Sequence, residues 1–253
     1  MKPKNMKNMK SKLKNSLAIL VISLILGTSC TELQSILQEA NTNNQTNSLT
    51  ETEVIAGLKE ALTTGTKKTV ANLSSTNGFY KDPLVKIPFP EEAIKVKQTA
   101  LKLGLNNQVT KFEETLNRAA EEASKEATTV FVNAITAMTI RDAWGILKGD
   151  ERAATDYLVK TTSGQLHNKF YPIVSEATEK VMLTKYWTPL IEAYNKAILV
   201  TGGEKIETDL NEYVTQKALD GIYKKVALEE TKIRKDPVAR VTDLLKKVFG
   251  SLD

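Results

Sequence analysis

Apolar side chains recur at spacings of three and four residues over most of the chain, which is the spacing of one face of an α-helix. The clearest run follows Gly104 and continues for nine apolar residues without a gap. Its members are Val109, Phe112, Leu116, Ala119, Ala123, Ala127, Val130, Ala134 and Met138. The run predicts one long amphipathic helix, or two nearly collinear ones, over about residues 106–138, with a length of about 45 Å.

Capping residues, glycines and prolines divide the rest of the chain into shorter predicted helices. Thr50 and Glu53 form a capping box before a helix that reaches Leu73, and Pro90 opens another that ends before Gly104. Further helices are predicted over 140–147, 151–161, 163–187, 190–200, 208–234 and 237–249, with caps that include Thr139, Asp142 and Asp150. The helix over 163–187 is predicted to start at Ser163 and to bend or restart near Pro172. Each of these helices begins and ends at an ordinary local signal.

Residues 78–90 interrupt the helical pattern. Three prolines in this stretch exclude a central β-strand and predict an irregular, extended connection. Strands find almost no support elsewhere in the chain either. The predicted fold class is therefore all-α, a single bundle-like domain of many helices.

The first thirty residues have the pattern of a secretory signal peptide. Six lysines and no acidic residue precede an apolar run from Leu17 to Leu26, and small residues then lead to Cys30. The apolar run is about half of the roughly 20 residues that a spanning helix needs, although a retained anchor is the alternative. The arrangement resembles the lipobox of bacterial lipoproteins, which predicts that Cys30 is acylated and tethers the chain to a membrane.

These patterns divide the chain into three parts: a lipoprotein signal peptide (1–29), the lipidated Cys30 with a polar, disordered tether (30–49), and one helical domain (50–253). Without residues 1–29 the chain has 29 basic and 30 acidic residues, a net charge of −1 instead of +5. No nucleic-acid partner is expected at that charge. The expected location is the cell envelope, in the periplasm or at the cell surface. The membrane is one expected partner, and an envelope protein or an apolar ligand is another.

The side chains on which most enzymes rely are scarce in the predicted domain. His167 is its only histidine and no cysteine follows Cys30, so metal sites built on several histidines or thiolates are excluded and no cofactor is expected. Catalysis would have to rest on carboxylates. A candidate polar cluster, structural or ligand-binding, consists of Asn117, Arg118, Glu121, Asp142 and Asp150.

Two functions remain open from the residues. The favoured one is a non-enzymatic binding or structural module, and the alternative is a carboxylate-based metal-dependent enzyme or hydrolase of the envelope. Asn117 and Arg118 lie at the border of the apolar stripe, and we expect them to reach the helix starts at Thr139–Asp142 or Asp150. Seven aromatic residues are core or line a ligand cleft: Trp144, Tyr157, Phe170, Tyr171, Tyr186, Trp187 and Tyr194.

Several short strings between residues 50 and 249 form a combined signature. They are Gly57–Leu62, Lys86–Pro90, Asn117–Glu121, Ala134–Thr139, Asp142–Ala143, Ile146–Gly149, Ala153–Tyr157 and Arg234–Arg240. With these strings the chain resembles the bacterial family catalogued as domain of unknown function 4197 (DUF4197). The resemblance implies a secreted or lipid-anchored helical domain, and it implies no activity.

Overall fold

The computed structural model describes residues 50–179, 183–202, 209–240 and 242–250. The predicted signal peptide, Cys30 and the predicted tether lie outside the described residues. Every regular element within those ranges is helical, which confirms the predicted all-α fold. The description below concerns the unit that begins at Thr50.

The helices of this unit follow one another through short connections. They are α1 (Glu51–Leu73), α2 (Ile94–Lys102), α3 (Asn106–Ser124), α4 (Ala127–Thr136), α5 (Ile140–Lys148), α6 (Ala153–Glu179), α7 (Thr188–Thr201), α8 (Leu210–Lys235) and α9 (Asp243–Gly250). Single turns at Glu91–Ala93, Leu183–Trp187 and Pro237–Ala239 precede α2, α7 and α9. The capping boxes predicted for α1 and α5 are both formed, the first by Thr50 with Glu53 and the second by Thr139 with Asp142.

The predicted long helix consists of α3 and α4, which are separated only by Lys125 and Glu126. The small side chains of Ala119, Ala123 and Ala127 have no exposed surface, so neighbouring helices approach the backbone closely along this ridge. Helix α5 then turns away by 104°. No single helix in the described ranges has the length and apolar composition to cross a membrane; α3–α4 and the strongly bent α5 meet those criteria only when combined.

Two predicted helix boundaries are wrong. The helix predicted over 237–249 is a single turn at Pro237–Ala239 followed by α9, which begins at Asp243. Separate helices were predicted over 151–161 and 163–187, but α6 continues from Ala153 to Glu179 through Ser163 and Pro172. The reason is a buried face of α6 that continues without interruption on both sides of Ser163 and Pro172. Its members, all fully buried, are Leu158, Leu166, Phe170 and Val174. Tertiary packing of this face outweighs the weak helix propensities of serine and proline at the predicted break.

Helices α6 and α8 pack against each other and form the centre of the unit. Helix α3 contacts both of them, α1 packs on α8 and α4, and α2 packs on α7. At the contact of α3 with the turn before α7, the rings of Phe112 and Trp187 stack with centroids 4.7 Å apart. Phe170 and Tyr194 are buried. Of the seven aromatic residues singled out in the sequence, Trp187, Phe170 and Tyr194 therefore belong to the core or its edge.

Replacing Ala123 with leucine should destabilise the unit by about 1–3 kcal/mol, the usual range for overpacking a filled core. Ala123 has no exposed surface, and a larger side chain must displace a neighbouring helix. Urea unfolding followed by circular dichroism measures the change. Ala71→Leu on the exposed side of α1 is the control, and equal unfolding midpoints for the two variants would show that the ridge is loosely packed.

Candidate functional site

Asn117 is fully buried on α3 and holds the connector, residues 74–90, against that helix. Its Oδ1 accepts a hydrogen bond from the backbone amide of Ile87 at 2.8 Å. Its Nδ2 donates to the carbonyl of Ile87 at 2.8 Å and to the carbonyl of Glu113 at 2.7 Å. One side-chain amide therefore pairs both backbone groups of Ile87, much as a neighbouring strand would.

Glu121 makes a similar contact one helical turn further along α3. Its Oε1 accepts hydrogen bonds from the backbone amides of Phe79 at 3.1 Å and Tyr80 at 3.2 Å. Its Oε2 accepts a 2.5 Å hydrogen bond from Nη1 of Arg118. Because Glu121 is buried, these donors replace the water that its carboxylate would otherwise bind.

Arg118 extends the same network to the turn that leads from α1 into the connector. Its Nη2 donates to Oδ1 of Asn77 at 2.8 Å, and its guanidinium lies 5.8 Å from the ring centre of Tyr80. Asn77 has a left-handed backbone, with φ of 71°. A Cβ on the next residue, Gly78, would lie 2.3 Å from the carbonyl oxygen of Asn72, so only glycine fits there.

The charges around Arg118 are matched by their neighbours. Partial burial opposes the charged form, but hydrogen bonds to Glu121 and Glu114 outweigh it and raise the pKa of Arg118. A hydrogen bond from Lys111, followed by the contact with Arg118, lowers the pKa of Glu114. Both groups are therefore held in their charged forms, as the members of an ion pair are.

Asp142 and Asp150 do not join this network. Asp142 accepts hydrogen bonds from the backbone amide and hydroxyl of Thr139, and Asp150 accepts one from the amide of Arg152. The expected links from Asn117 and Arg118 to these helix starts are therefore replaced by links to the connector. The physical reason is that the connector buries backbone amides without a helix or sheet to pair them, and α3 lies beside it.

A second buried carboxylate, Glu230 on α8, caps the start of α6. Its Oε1 accepts from the amide of Ala154 at 3.0 Å, and its Oε2 accepts from the amide and hydroxyl of Thr155, both at 2.8 Å. Arg234 donates from Nε to Glu230 at 2.9 Å and from Nη2 to the carbonyl of Ile146 at 2.8 Å. The helix N-terminus and the guanidinium together compensate the buried negative charge.

Arg240 caps the C-terminal end of α8, close to Glu230 and Arg234. It is buried, and it donates from Nε to the carbonyl of Ile233 at 3.1 Å and from Nη2 to the carbonyl of Arg234 at 2.8 Å. These carbonyls belong to the last turn of α8, which has no partner within the helix. The string Arg234–Arg240 therefore acts as a terminal cap for α8 and as part of the Glu230 network.

His167 and the metal-binding residue types form no larger cluster. Nε2 of His167 lies 2.9 Å from Oε2 of Glu212, and the histidine is half-buried on α6. Hydrogen bonds from Gln216 and then His167 lower the pKa of Glu212. Within the described ranges, no group of three or more histidine, cysteine, aspartate or glutamate side chains is arranged to hold a metal ion.

Three open depressions border the outer side of α8, which we call the α8 face. Its exposed residues are Lys217, Asp220, Lys224, Leu228 and Lys232. Two depressions, of about 280 and 230 Å³, lie between α8 and the connector, and a third of about 620 Å³ lies towards α6. The third shares Asp220 and Lys224 with the second and Leu228 with the first, so the three adjoin one another along α8.

Comparison with protein-family models assigns the helical unit to a family. Residues 48–250 match the family model described as protein of unknown function (DUF4197). The chain belongs to the DUF4197 family. The resemblance seen in the sequence is thereby confirmed, while no curated protein and no solved structure was found to match the chain. The matched range of this DUF4197 chain includes the Asn117 and Glu230 networks and the whole α8 face.

The sequence offered signals for the groups that were missed in this DUF4197 domain. Glu230 and Arg234 are four residues apart in the order that favours a helical ion pair, although nothing local indicates their burial. Lys217, Lys224 and Lys232 follow at intervals of seven and eight residues, which places them on one side of a helix. Such a polar stripe is ordinarily only a solvated surface.

Proposed function

We propose that this protein is a lipid-anchored, non-enzymatic binding module of the bacterial cell envelope. The order of basic segment, short apolar run and Cys30 supports the anchor and a location in the periplasm or at the cell surface. The tether of about twenty residues would let the helical unit reach up to about 65 Å from the lipid.

The non-enzymatic part of the proposal is supported by the buried polar groups, whose hydrogen-bonding capacity is used by the fold itself. Asn117, Glu121 and Glu230 bond to backbone amides and carbonyls of the fold itself. A catalytic carboxylate must be free to exchange its hydrogen-bond partners with a substrate. These three groups hold the connector and the start of α6 in place, so the carboxylate-enzyme alternative loses its strongest candidates.

The open depressions of the α8 face are the favoured binding surface. Lysine and apolar side chains are the commonest in their lining, which also contains four acidic side chains and is contributed by α1, α8, the connector and the first part of α6 with the turn before it. The third, of about 620 Å³, falls within the range for ligand sites, about 300–1,000 Å³, and the other two, of about 280 and 230 Å³, lie just below it. A ligand there would meet side chains of α1, α6 and α8, and side chains of the connector, which Asn117 and Glu121 hold against α3.

Replacing Cys30 with serine should release the protein from the membrane fraction, because the acyl chains would have no thiol to attach to. Fractionation of cells that express the full chain, with immunoblotting of each fraction, measures the shift. Ser29→Ala, one residue earlier, preserves the cysteine and should remain with the membrane. Unchanged membrane association of the serine variant after normal cleavage of the leader would refute the anchor.

A further inference from the structure

The α8 face combines a local positive charge with an almost neutral chain. Seven cationic and four acidic side chains line its three depressions, a net charge of +3. The cations are Lys68, Lys86, Arg152, Lys217, Lys224, Lys225 and Lys232, and the acids are Asp82, Glu151, Asp220 and Glu229. The chain without residues 1–29 has a net charge of −1, so this face is clearly more positive than the protein as a whole.

Not all of these cations are neutralised by the fold. Four of the seven have an acidic partner: Lys68 pairs with Glu229, Lys225 with Asp82, Lys86 with Glu113 and Arg152 with Asp156. Lys217 and Lys232 are exposed, and neither has a carboxylate within 4 Å in the described part of the chain. They stand fifteen residues apart on α8, which corresponds to about 22 Å. Two free positive charges at this separation select a ligand with negative charges spread along its length.

Apolar side chains lie between these charges. Leu84 of the connector and Leu228 of α8 are 49% and 47% exposed, respectively. Val159 and Ala227 line the depression beside Leu228, while Val85 and Pro88 line the one beside Leu84. A polyphosphate or a nucleic-acid backbone would leave this apolar surface without a partner. A peptide chain that carries both carboxylates and aliphatic side chains would cover it.

We propose that the α8 face binds an extended, acidic peptide segment with leucine-like side chains, contributed by a partner protein. About seven residues in extended conformation span 22 Å, at about 3.3 Å per residue. Their carboxylates meet Lys217, Lys224 and Lys232, and their aliphatic side chains meet Leu84 and Leu228. This inference rests on the proposed binding role, and it does not depend on the lipid at Cys30.

Fluorescence anisotropy tests the proposal with the chain from Thr31 onward and a labelled ten-residue peptide in which two glutamates and two leucines repeat in turn. Side chains of an extended peptide alternate between its two faces, so this repeat places both glutamate and leucine on the face that meets α8. Binding is expected to weaken as salt is added, because the contacts are between exposed charges. Replacing Lys217 and Lys232 together with glutamate should reduce the affinity about tenfold or more, since attraction becomes repulsion at both ends. The side chains of Lys217 and Lys232 form no hydrogen bond or ion pair in the described ranges, but Lys217 lies 5.8 Å from the ring centre of Tyr213 and Lys232 is in the last turn of α8. A negative charge in that turn is unfavourable, so thermal unfolding followed by circular dichroism must show that the double variant is folded at the temperature of the binding assay.

The matched control reverses two exposed lysines of α2, Lys95 and Lys102, which lie outside the α8 face. The net charge of this control equals that of the test variant. An equal loss of peptide affinity in both variants would mean that only the overall charge matters, and it would overturn the proposal. Leu228→Ser should also weaken binding of the glutamate–leucine peptide. The same peptide with serine in place of every leucine should bind more weakly than the leucine peptide.

Three further outcomes would reject the acidic-peptide ligand. They are no binding of the leucine peptide, equal binding of the serine peptide, and tighter binding of a DNA duplex of similar length. The membrane fractionation of Cys30→Ser stays independent of all three. Failure of the peptide would therefore remove this inference, whereas failure of the fractionation would remove the proposed anchor.

Discussion

Replacing Glu230 with alanine should lower the free energy of unfolding by about 3–5 kcal/mol, the range expected when one member of a buried ion pair is removed. The side chain of Arg234 is only 12% exposed and would lose its counter-charge. The amides of Ala154 and Thr155 at the start of α6 would lose their acceptor as well. Urea unfolding of the chain from Thr31 onward, followed by circular dichroism, measures the loss.

The adjacent residue provides a matched control. Glu229 pairs with Lys68, whose side chain is 52% exposed, so Glu229→Ala should cost no more than about 1 kcal/mol. A double variant, Glu230→Leu with Arg234→Met, separates the two parts of the effect. It removes both charges but leaves the α6 amides uncapped, so it should recover only part of the loss. Full recovery would show that the cap contributes nothing, and equal losses at 229 and 230 would refute the prediction.

Replacing Asn117 with aspartate should destabilise the unit by about 2–4 kcal/mol at neutral pH, because each buried polar group left unpaired costs about 1–3 kcal/mol. The new carboxylate would face the carbonyls of Ile87 and Glu113, to which the Asn117 side chain now donates. Protonation restores one donor, so the difference from the unmodified chain should narrow as the pH falls. Urea unfolding at a series of pH values measures this difference.

The control lies in the first turn of the same helix. Asn107 is exposed at the start of α3, where a negative charge interacts favourably with the helix dipole. Asn107→Asp should therefore be neutral or stabilising by about 0.3–1 kcal/mol. If Asn117→Asp lost no stability, or lost the same amount at every pH, the side chain would not act as a donor to the connector.

Helix positions were predictable wherever local chemistry and packing agree. The capping boxes at Thr50 and Thr139 each satisfy backbone amides within four residues, so the sequence itself contains both partners. The predicted break in α6 is absent because it was inferred from local residues, whereas the packing that keeps the helix continuous involves residues far away in the sequence. Phe170 and Val174 are buried against other helices, and that contact cannot be read from the spacing of Ser163 and Pro172.

The site shows the same division. Asn117, Arg118 and Glu121 were recognised as candidates because they lie beside an apolar stripe, but their partners are 30 to 42 residues earlier in the chain. Those partners are mostly backbone amides of an aperiodic segment, which no sequence pattern marks. Glu230 was missed for a related reason, since its main partners are amides about 75 residues away.

The contacts of the connector also determine how many residues it contains. Glu121 holds Phe79 and Tyr80 while Asn117 holds Ile87, and the two side chains are only one turn apart on α3. A Cβ on Gly221 of α8 would lie 2.7 Å from the ring of Phe79, so the connector also packs directly against the backbone of α8 at this glycine. An inserted or deleted residue between these anchors would shift one of them out of register. Length changes, which surface loops ordinarily tolerate, are therefore excluded from this loop.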